Sequence, residues 1–171
     1  MTLTYFQLVG DMMHLASLVF LLHKIRSSKN CLGISCKTQE LYLLVFVTRY
    51  IDLFLYYISF YNTLMKVTFI LITALLIYTI RFVRPYRTTY DRVSDELPHW
   101  LYLVPPCAIL GIIFNEEFTL VEVLWSFSIW LEAVTYLPQL AMLRKMKEVE
   151  NLTGNYVFCM GGYRAMYMLH W

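Results

Sequence analysis

Val45-Phe46-Val47-Thr48-Arg49-Tyr50-Ile51-Asp52-Leu53-Phe54 sets an arginine and an aspartate three residues apart inside an otherwise apolar run long enough to cross a bilayer. A charged side chain at the bilayer centre costs about 2.5–3.5 kcal/mol on insertion scales, so each charge needs a partner or a water-filled cavity. The spacing of three puts Arg49 and Asp52 on one helix face. Two readings stand side by side. Either the pair neutralises itself and holds helices together, or Arg49 is kept for an anion that arrives from outside.

Working outward, the rest of the chain is of the same kind. It is 59% hydrophobic, 17% aromatic and only 15% charged, which excludes an ordinary water-soluble domain. Six apolar segments, at 4–24, 39–60, 65–84, 98–114, 118–143 and 153–171, each approach the ~20 residues that span the hydrocarbon. Within lipid each must be helical, because no water is there to satisfy the backbone. The expectation is an all-α polytopic membrane protein. The first segment lacks a basic n-region and a small-residue cleavage site and carries Asp11 and His14, so it reads as a mature helix and not as a signal peptide.

Eleven of the fourteen basic residues fall in alternate connections. Lys24, Arg26, Lys29 and Lys37 follow the first helix; Arg81, Arg84, Arg87 and Arg92 follow the third; Arg144, Lys145 and Lys147 follow the fifth. The opposite connections hold Lys66 and the acidic Asn115-Glu116-Glu117. The positive-inside rule then puts the basic loops in the cytosol and the amino terminus, with Trp171, on the other side. Cys31, Cys36, Cys107 and Cys159 lack paired metal-ligand spacing and read as small apolar fillers; a cytosolic loop also disfavours a Cys31–Cys36 disulfide. Asn151-Leu152-Thr153 fits the glycosylation sequon but lies on the cytosolic side of this topology.

Polar residues inside the predicted helices are few and grouped. Asp11 and His14 share a face of the first helix, and imidazole is the side chain that changes charge near neutral pH. In the first loop Gly33 suits a tight turn, and Ser35 or Thr38 can cap the second helix. Asn62 is expected as a turn residue after the second helix. The third helix, uncharged between Val67 and Ile80, tolerates lipid on most faces. Pro105-Pro106 should kink the fourth. In the fifth helix Glu122, Trp125 and Glu132 lie along one stripe, and in the sixth Arg164, Tyr167 and Trp171 recur at helical spacing. The acids need basic partners, and Arg49, Arg164 and His14 are the candidates. Arg49 and Arg164 occupy similar places in their helices. That hints at a repeat in which helices 1–3 form a first bundle, helix 4 a linker, and helices 5–6 an incomplete second bundle within one domain over residues 1–171.

These blocks resemble the endoplasmic reticulum lumen protein-retaining receptors, the KDEL receptors, over nearly the whole chain. The resemblance rests on Gly10-Asp11 with His14-Leu15-Ala16, on Cys31-x-Gly33-Ile34-Ser35-x-Lys37-x-Gln39, and on Thr48-Arg49-Tyr50-x-Asp52-Leu53-Phe54. It continues through Tyr61-Asn62-Thr63-x-Met65-Lys66, Thr89-Tyr90-Asp91, Glu122-x-Leu124-Trp125-x-Phe127-Ser128-Ile129-x-Leu131-Glu132, Leu137-Pro138-Gln139-Leu140 and Tyr163-Arg164-Ala165-x-Tyr167. Pro138-Gln139 alone is shared with the wider PQ-loop and SWEET-like transporter fold.

The resemblance implies a seven-helix, transporter-like receptor, without enzymatic activity or cofactor. It would capture the carboxy-terminal Lys/His-Asp-Glu-Leu signal of escaped luminal proteins in the acidic Golgi and release it in the neutral reticulum. By that match Arg49 holds the terminal carboxylate, Asp52, Glu122 and Trp125 read the basic end of the signal, and Tyr167 and Trp171 line the pocket. His14 senses protons in a network with Glu132, Tyr163 and Arg164. The implied partners are the signal peptide, membrane lipid and vesicle coat machinery, with no nucleic acid.

Two departures accompany the resemblance. Gln7 stands where the family usually has an arginine, and the sequence stops at Trp171, where the family continues through a seventh helix and a lysine-bearing tail. The expectation is a truncated or partial product. A PQ-loop solute transporter and a non-functional receptor fragment are the competing readings.

Overall fold

Each helix begins and ends where local chemistry allows. A computed structural model of the chain describes residues 5–55, 57, 59–146 and 151–170, and every regular element among them is helical. Helix α1 (Tyr5–Ser28) outruns its expected end at residue 24. The turn after it needs a left-handed backbone at Gly33, with φ of +76°, a region that glycine enters without steric cost. Ser35 then caps α2 (Cys36–Arg49), its Oγ accepting the Thr38 N–H at 3.2 Å.

The second predicted helix is not continuous. The α-helical ladder stops at Arg49, and Tyr50–Phe54 continues as a 3₁₀ turn. Residues three apart eclipse one another in that geometry, so Arg49 and Asp52 still look the same way. Helix α3 (Phe60–Phe82) starts five residues before the expected 65, because Ser59 caps it by accepting the Asn62 N–H at 3.2 Å. Asn62 is therefore in the first turn of a helix and does not make the connection.

After the short α4 (Tyr86–Thr89), the fourth predicted helix is two pieces, α5 (His99–Tyr102) and α6 (Val104–Ile113). Pro105 and Pro106 fall in the first turn of α6, where their missing N–H groups have no helical partner to lose. The chain is interrupted at Leu103 and not bent at the prolines. The same logic divides the fifth: α7 (Leu120–Val134) ends before Thr135-Tyr136, and α8 (Leu137–Lys145) restarts with Pro138 in its first turn. Helix α9 (Asn151–His170) is the last.

Among the described residues three stretches are long and apolar enough to cross a bilayer: α1, α3 and the α7–α8 pair, with α5–α6 a shorter apolar segment. The surface agrees. Phe60, Leu64, Val67, Leu71, Leu75, Tyr78 and Phe82 form one exposed stripe down α3, a far longer apolar strip than a soluble monomer leaves in water. The solvent for that face is lipid. Met65, Phe69, Thr73, Leu76 and Ile80 on the opposite side of α3 are buried.

Helix directions follow from the pairings. On α1 and α9, Asp11 meets Tyr167 while His14 meets Tyr163, so these helices are antiparallel. On α2 and α7–α8, Arg49 meets Ser128 while Thr38 meets Gln139, again antiparallel. Gln39 meets Tyr156 and Tyr42 meets Tyr163, so α2 and α9 run parallel. The bundle therefore has two distinct ends. One gathers the end of α1, the start of α2, the end of α3 and the end of α8, with most of the basic residues. The other gathers the start of α1, the Tyr50–Phe54 turn, the start of α3 and the acidic connection before α7.

The four cysteines are free and buried. Burial pushes the Cys31 thiol in the first loop up to about 11, an inert group in keeping with a packing role.

Candidate functional site

The basic end is tied together by side chains beside a smaller cavity of about 300 Å³, lined by Lys37, Ile80, Arg81, Tyr90, Arg92 and Asp95. Gln139, fully buried, accepts the Ser35 N–H at 2.9 Å through Oε1 and donates from Nε2 to the Gly33 carbonyl at 2.7 Å. Its own N–H donates to Thr38 Oγ1 at 3.0 Å. Asp95, 1% exposed, accepts from Ser35 Oγ at 2.9 Å and from the Lys37 N–H at 3.3 Å, and the Tyr90 hydroxyl also donates to it. Glu40 takes Arg81 and His99.

The other end is open. Arg49, Tyr50, Asp52, Lys66, Glu116, Val121, Glu122 and Trp125 line a cavity of about 460 Å³, within the roughly 300–1,000 Å³ usual for ligand clefts. Arg49 arrives at the last position of α2, Asp52 on the 3₁₀ turn, Lys66 from the second turn of α3, and Glu122 and Trp125 from the first two turns of α7. Four of the residues singled out in the sequence, Arg49, Asp52, Glu122 and Trp125, thus share one cavity.

Arg49 and Asp52 do not neutralise each other. Arg49 pairs with Glu132 and donates from Nε to Ser128 Oγ at 3.0 Å. Asp52 takes Lys66 instead, with Nζ to Oδ2 at 2.6 Å. Behind the cavity lies the second polar group. Tyr163 donates to Glu132 Oε1 at 2.8 Å and shares a 3.1 Å hydrogen bond with the Tyr42 hydroxyl. Arg164 donates to the Tyr163 hydroxyl at 3.3 Å, to the Tyr42 hydroxyl at 3.1 Å, and to the main-chain carbonyl of Glu132. The Glu132 carboxylate therefore goes to Arg49, and the expected Glu132–Arg164 pair is made through the backbone.

His14 sits against this group. Its ring is parallel to that of Tyr163, centroids 4.2 Å apart, and Phe69, Phe46 and Tyr42 surround it. The residue is 4% exposed, and its Nε2 is buried without a hydrogen-bond partner among the described residues. Tyr167 lies on the α1–α9 seam, where its hydroxyl donates to Asp11; the Tyr61 hydroxyl donates to the other oxygen of that carboxylate at 3.1 Å. Trp171 lies outside the described residues.

Sequence reasoning missed Lys66, Glu116 and Tyr50 as cavity residues and Tyr42 as the link between α2 and α9. Lys66 and Glu116 had been assigned to loops on the acidic side. A lysine so near the start of an otherwise uncharged span was the signal that it faces water. Tyr42 and Tyr50 carry no such mark among fourteen tyrosines.

The profile of the ER lumen protein retaining receptor family matches residues 30–171. An ER lumen protein-retaining receptor of Plasmodium falciparum is 54% identical over 97% of this chain and 75% of its own length. Receptor B of that name from Arabidopsis thaliana is 48% identical, covering 97% and 77%, and one from Drosophila melanogaster 43%, again 97% and 77%. The chain spans about three quarters of the length of these relatives.

Proposed function

The chain belongs to the ER lumen protein-retaining receptor family, and on that premise we propose that its open cavity binds the carboxy-terminal Lys/His-Asp-Glu-Leu signal of luminal proteins for return from the Golgi to the endoplasmic reticulum. It is a multi-pass membrane protein of those compartments. The observation that carries the peptide reading is the convergence of Arg49, Asp52, Glu122 and Trp125, from two helices and a turn, on one cavity.

The chemistry of such a signal suits these groups. Arg49 offers a planar fork to the terminal carboxylate, a match that lysine does not reproduce. Asp52 and Glu122 provide charge, and Trp125 an aromatic face, for the basic first residue. Tyr167, bound to Asp11 on the α1–α9 seam, is the further contact that the family reading assigns to the signal. With the basic end in the cytosol, by the positive-inside rule, the cavity and the amino terminus face the lumen. Coat machinery would engage the cytosolic side.

His14 supplies the pH response. A carboxylate that takes Arg49 draws it off Glu132, and the released Glu132 becomes the anion beside Tyr163 and His14, with Arg164 and Tyr42 as the other polar neighbours. A proton on His14 is then better accommodated with the signal bound than without it. Binding takes up a proton, so affinity rises as pH falls toward about 6, the range in which imidazole titrates.

The test measures binding of a Lys-Asp-Glu-Leu peptide with a free or an amidated carboxyl group. Arg49→Ala should cost about 2–5 kcal/mol of affinity, roughly thirtyfold or more. Arg49→Lys should recover only part of it, and amidation should weaken binding to the unmodified chain to a similar degree. Equal affinity for the two peptides would remove Arg49 from the role of carboxylate anchor.

A further inference from the structure

Lys66 is a basic residue of the cavity that the receptor chemistry above leaves unused. It enters from α3, and its side chain is only 14% exposed. Its ammonium lies 2.6 Å from Asp52 Oδ2 and 5.4 Å from the centroid of the Tyr50 ring. A carboxylate on one side and an aromatic face on the other is the environment that a lysine or protonated histidine at the start of a signal would seek. The other oxygen of Asp52, Oδ1, is buried without a hydrogen-bond partner among the described residues. Asp52, a residue of the cavity wall, thus has one oxygen satisfied by Lys66 and one buried oxygen with no partner among the described residues.

We propose that Lys66 is a specificity-determining residue, an internal competitor whose ammonium holds the place at Asp52 that the cationic first residue of a retention signal takes. The inference rests on the reading of the cavity as a signal site and adds to it a residue and a direction of effect. A signal with a cationic first residue must displace Lys66 or share Asp52 with a like charge, while a signal with a neutral first residue leaves the Lys66–Asp52 pair as it is. Lys66 therefore lowers the preference of the cavity for a cationic first residue. A lysine suits the exchange: its compact ammonium on a flexible stem forms no rigid fork with the carboxylate, and it keeps Asp52 paired until a second cation arrives.

A lysine that only holds Asp52 in position would act in the opposite sense, since its removal would disorder the acid and lower the preference. The experiment compares Lys-Asp-Glu-Leu with Ala-Asp-Glu-Leu, both with free carboxylates, on the unmodified chain and on Lys66→Met, Lys66→Gln and Lys66→Arg. The ratio of the two affinities should rise about fivefold in the neutral variants, the scale of one partly exposed charge pair, and stay within about twofold in Lys66→Arg. The melting temperature of Lys66→Gln in detergent should stay close to that of the unmodified chain, which reports an intact fold. A ratio that is unchanged or lower in both neutral variants, with the alanine peptide still bound, would overturn the role of Lys66 and leave the receptor reading standing. Failure of the unmodified chain to bind either peptide would overturn the receptor reading and this inference together.

Discussion

The two ends of the bundle use similar residues to opposite effect. At the basic end Gln139, Ser35, Thr38, Asp95 and Tyr90 satisfy one another and the local backbone. At the acidic end Arg49, Asp52, Lys66, Glu116 and Glu122 surround open space, and Asp52 Oδ1 is buried without a hydrogen-bond partner among the described residues. The hydrogen-bonded cluster at the basic end rigidifies the turn it holds and borders only a smaller cavity of about 300 Å³, whereas the charged groups at the acidic end line a cavity of about 460 Å³. The comparison assigns holding to one end and binding to the other.

That division can be broken at its tightest point. Gln139→Ala removes both side-chain bonds and leaves the Ser35 N–H and the Gly33 carbonyl buried without partners, at about 1–3 kcal/mol for each. Thermal unfolding in detergent or nanodiscs should show a large drop in melting temperature, while the chain that remains folded binds the signal peptide with little change. A loss of peptide affinity without a loss of stability would mean that the ends do not divide the work this way.

A smaller effect sharpens the role of the α6–α7 contact that supports the open end. At Gly111 an added Cβ would lie 2.7 Å from the Phe127 backbone. Gly111→Ala therefore forces α6 away from α7, with overpacking of about 1–3 kcal/mol. Because Glu122 and Trp125 sit on α7, peptide affinity should fall along with stability. The smallest expected signal is at Cys31. Its thiol is buried at the basic end and pushed up to about 11, so a maleimide at pH 7.5 should leave it unmodified in the folded protein and label it after unfolding. Fast labelling of the folded chain would show that end to be looser than its hydrogen bonds imply.

How much of this was legible beforehand depends on the kind of interaction. Hydropathy and basic-residue spacing marked the membrane class and where most helices lie, because lipid acts on every residue of a span. The co-location of Arg49, Asp52, Glu122 and Trp125 was also foreseeable, since intramembrane charges must find each other or water. Partner choice was not. Arg49 and Arg164 are equivalent in sequence, and only the antiparallel register of α2 on α7 puts the Glu132 carboxylate beside the first. The breaks at Leu103 and Tyr136 escaped for a local reason: a proline marks both the interior of a kinked helix and the first turn of a new one.

Side-specific labelling of the cavity wall tests the central claim most directly. Val121→Cys places a thiol on the wall without removing a charged group. A membrane-impermeant thiol reagent applied to the luminal face of sealed vesicles should modify it, and a free-carboxylate Lys-Asp-Glu-Leu peptide should protect it while the amidated peptide does not. Modification from the cytosolic face, or luminal modification that the free-carboxylate peptide leaves unchanged, would contradict the account of an open luminal end that binds the signal.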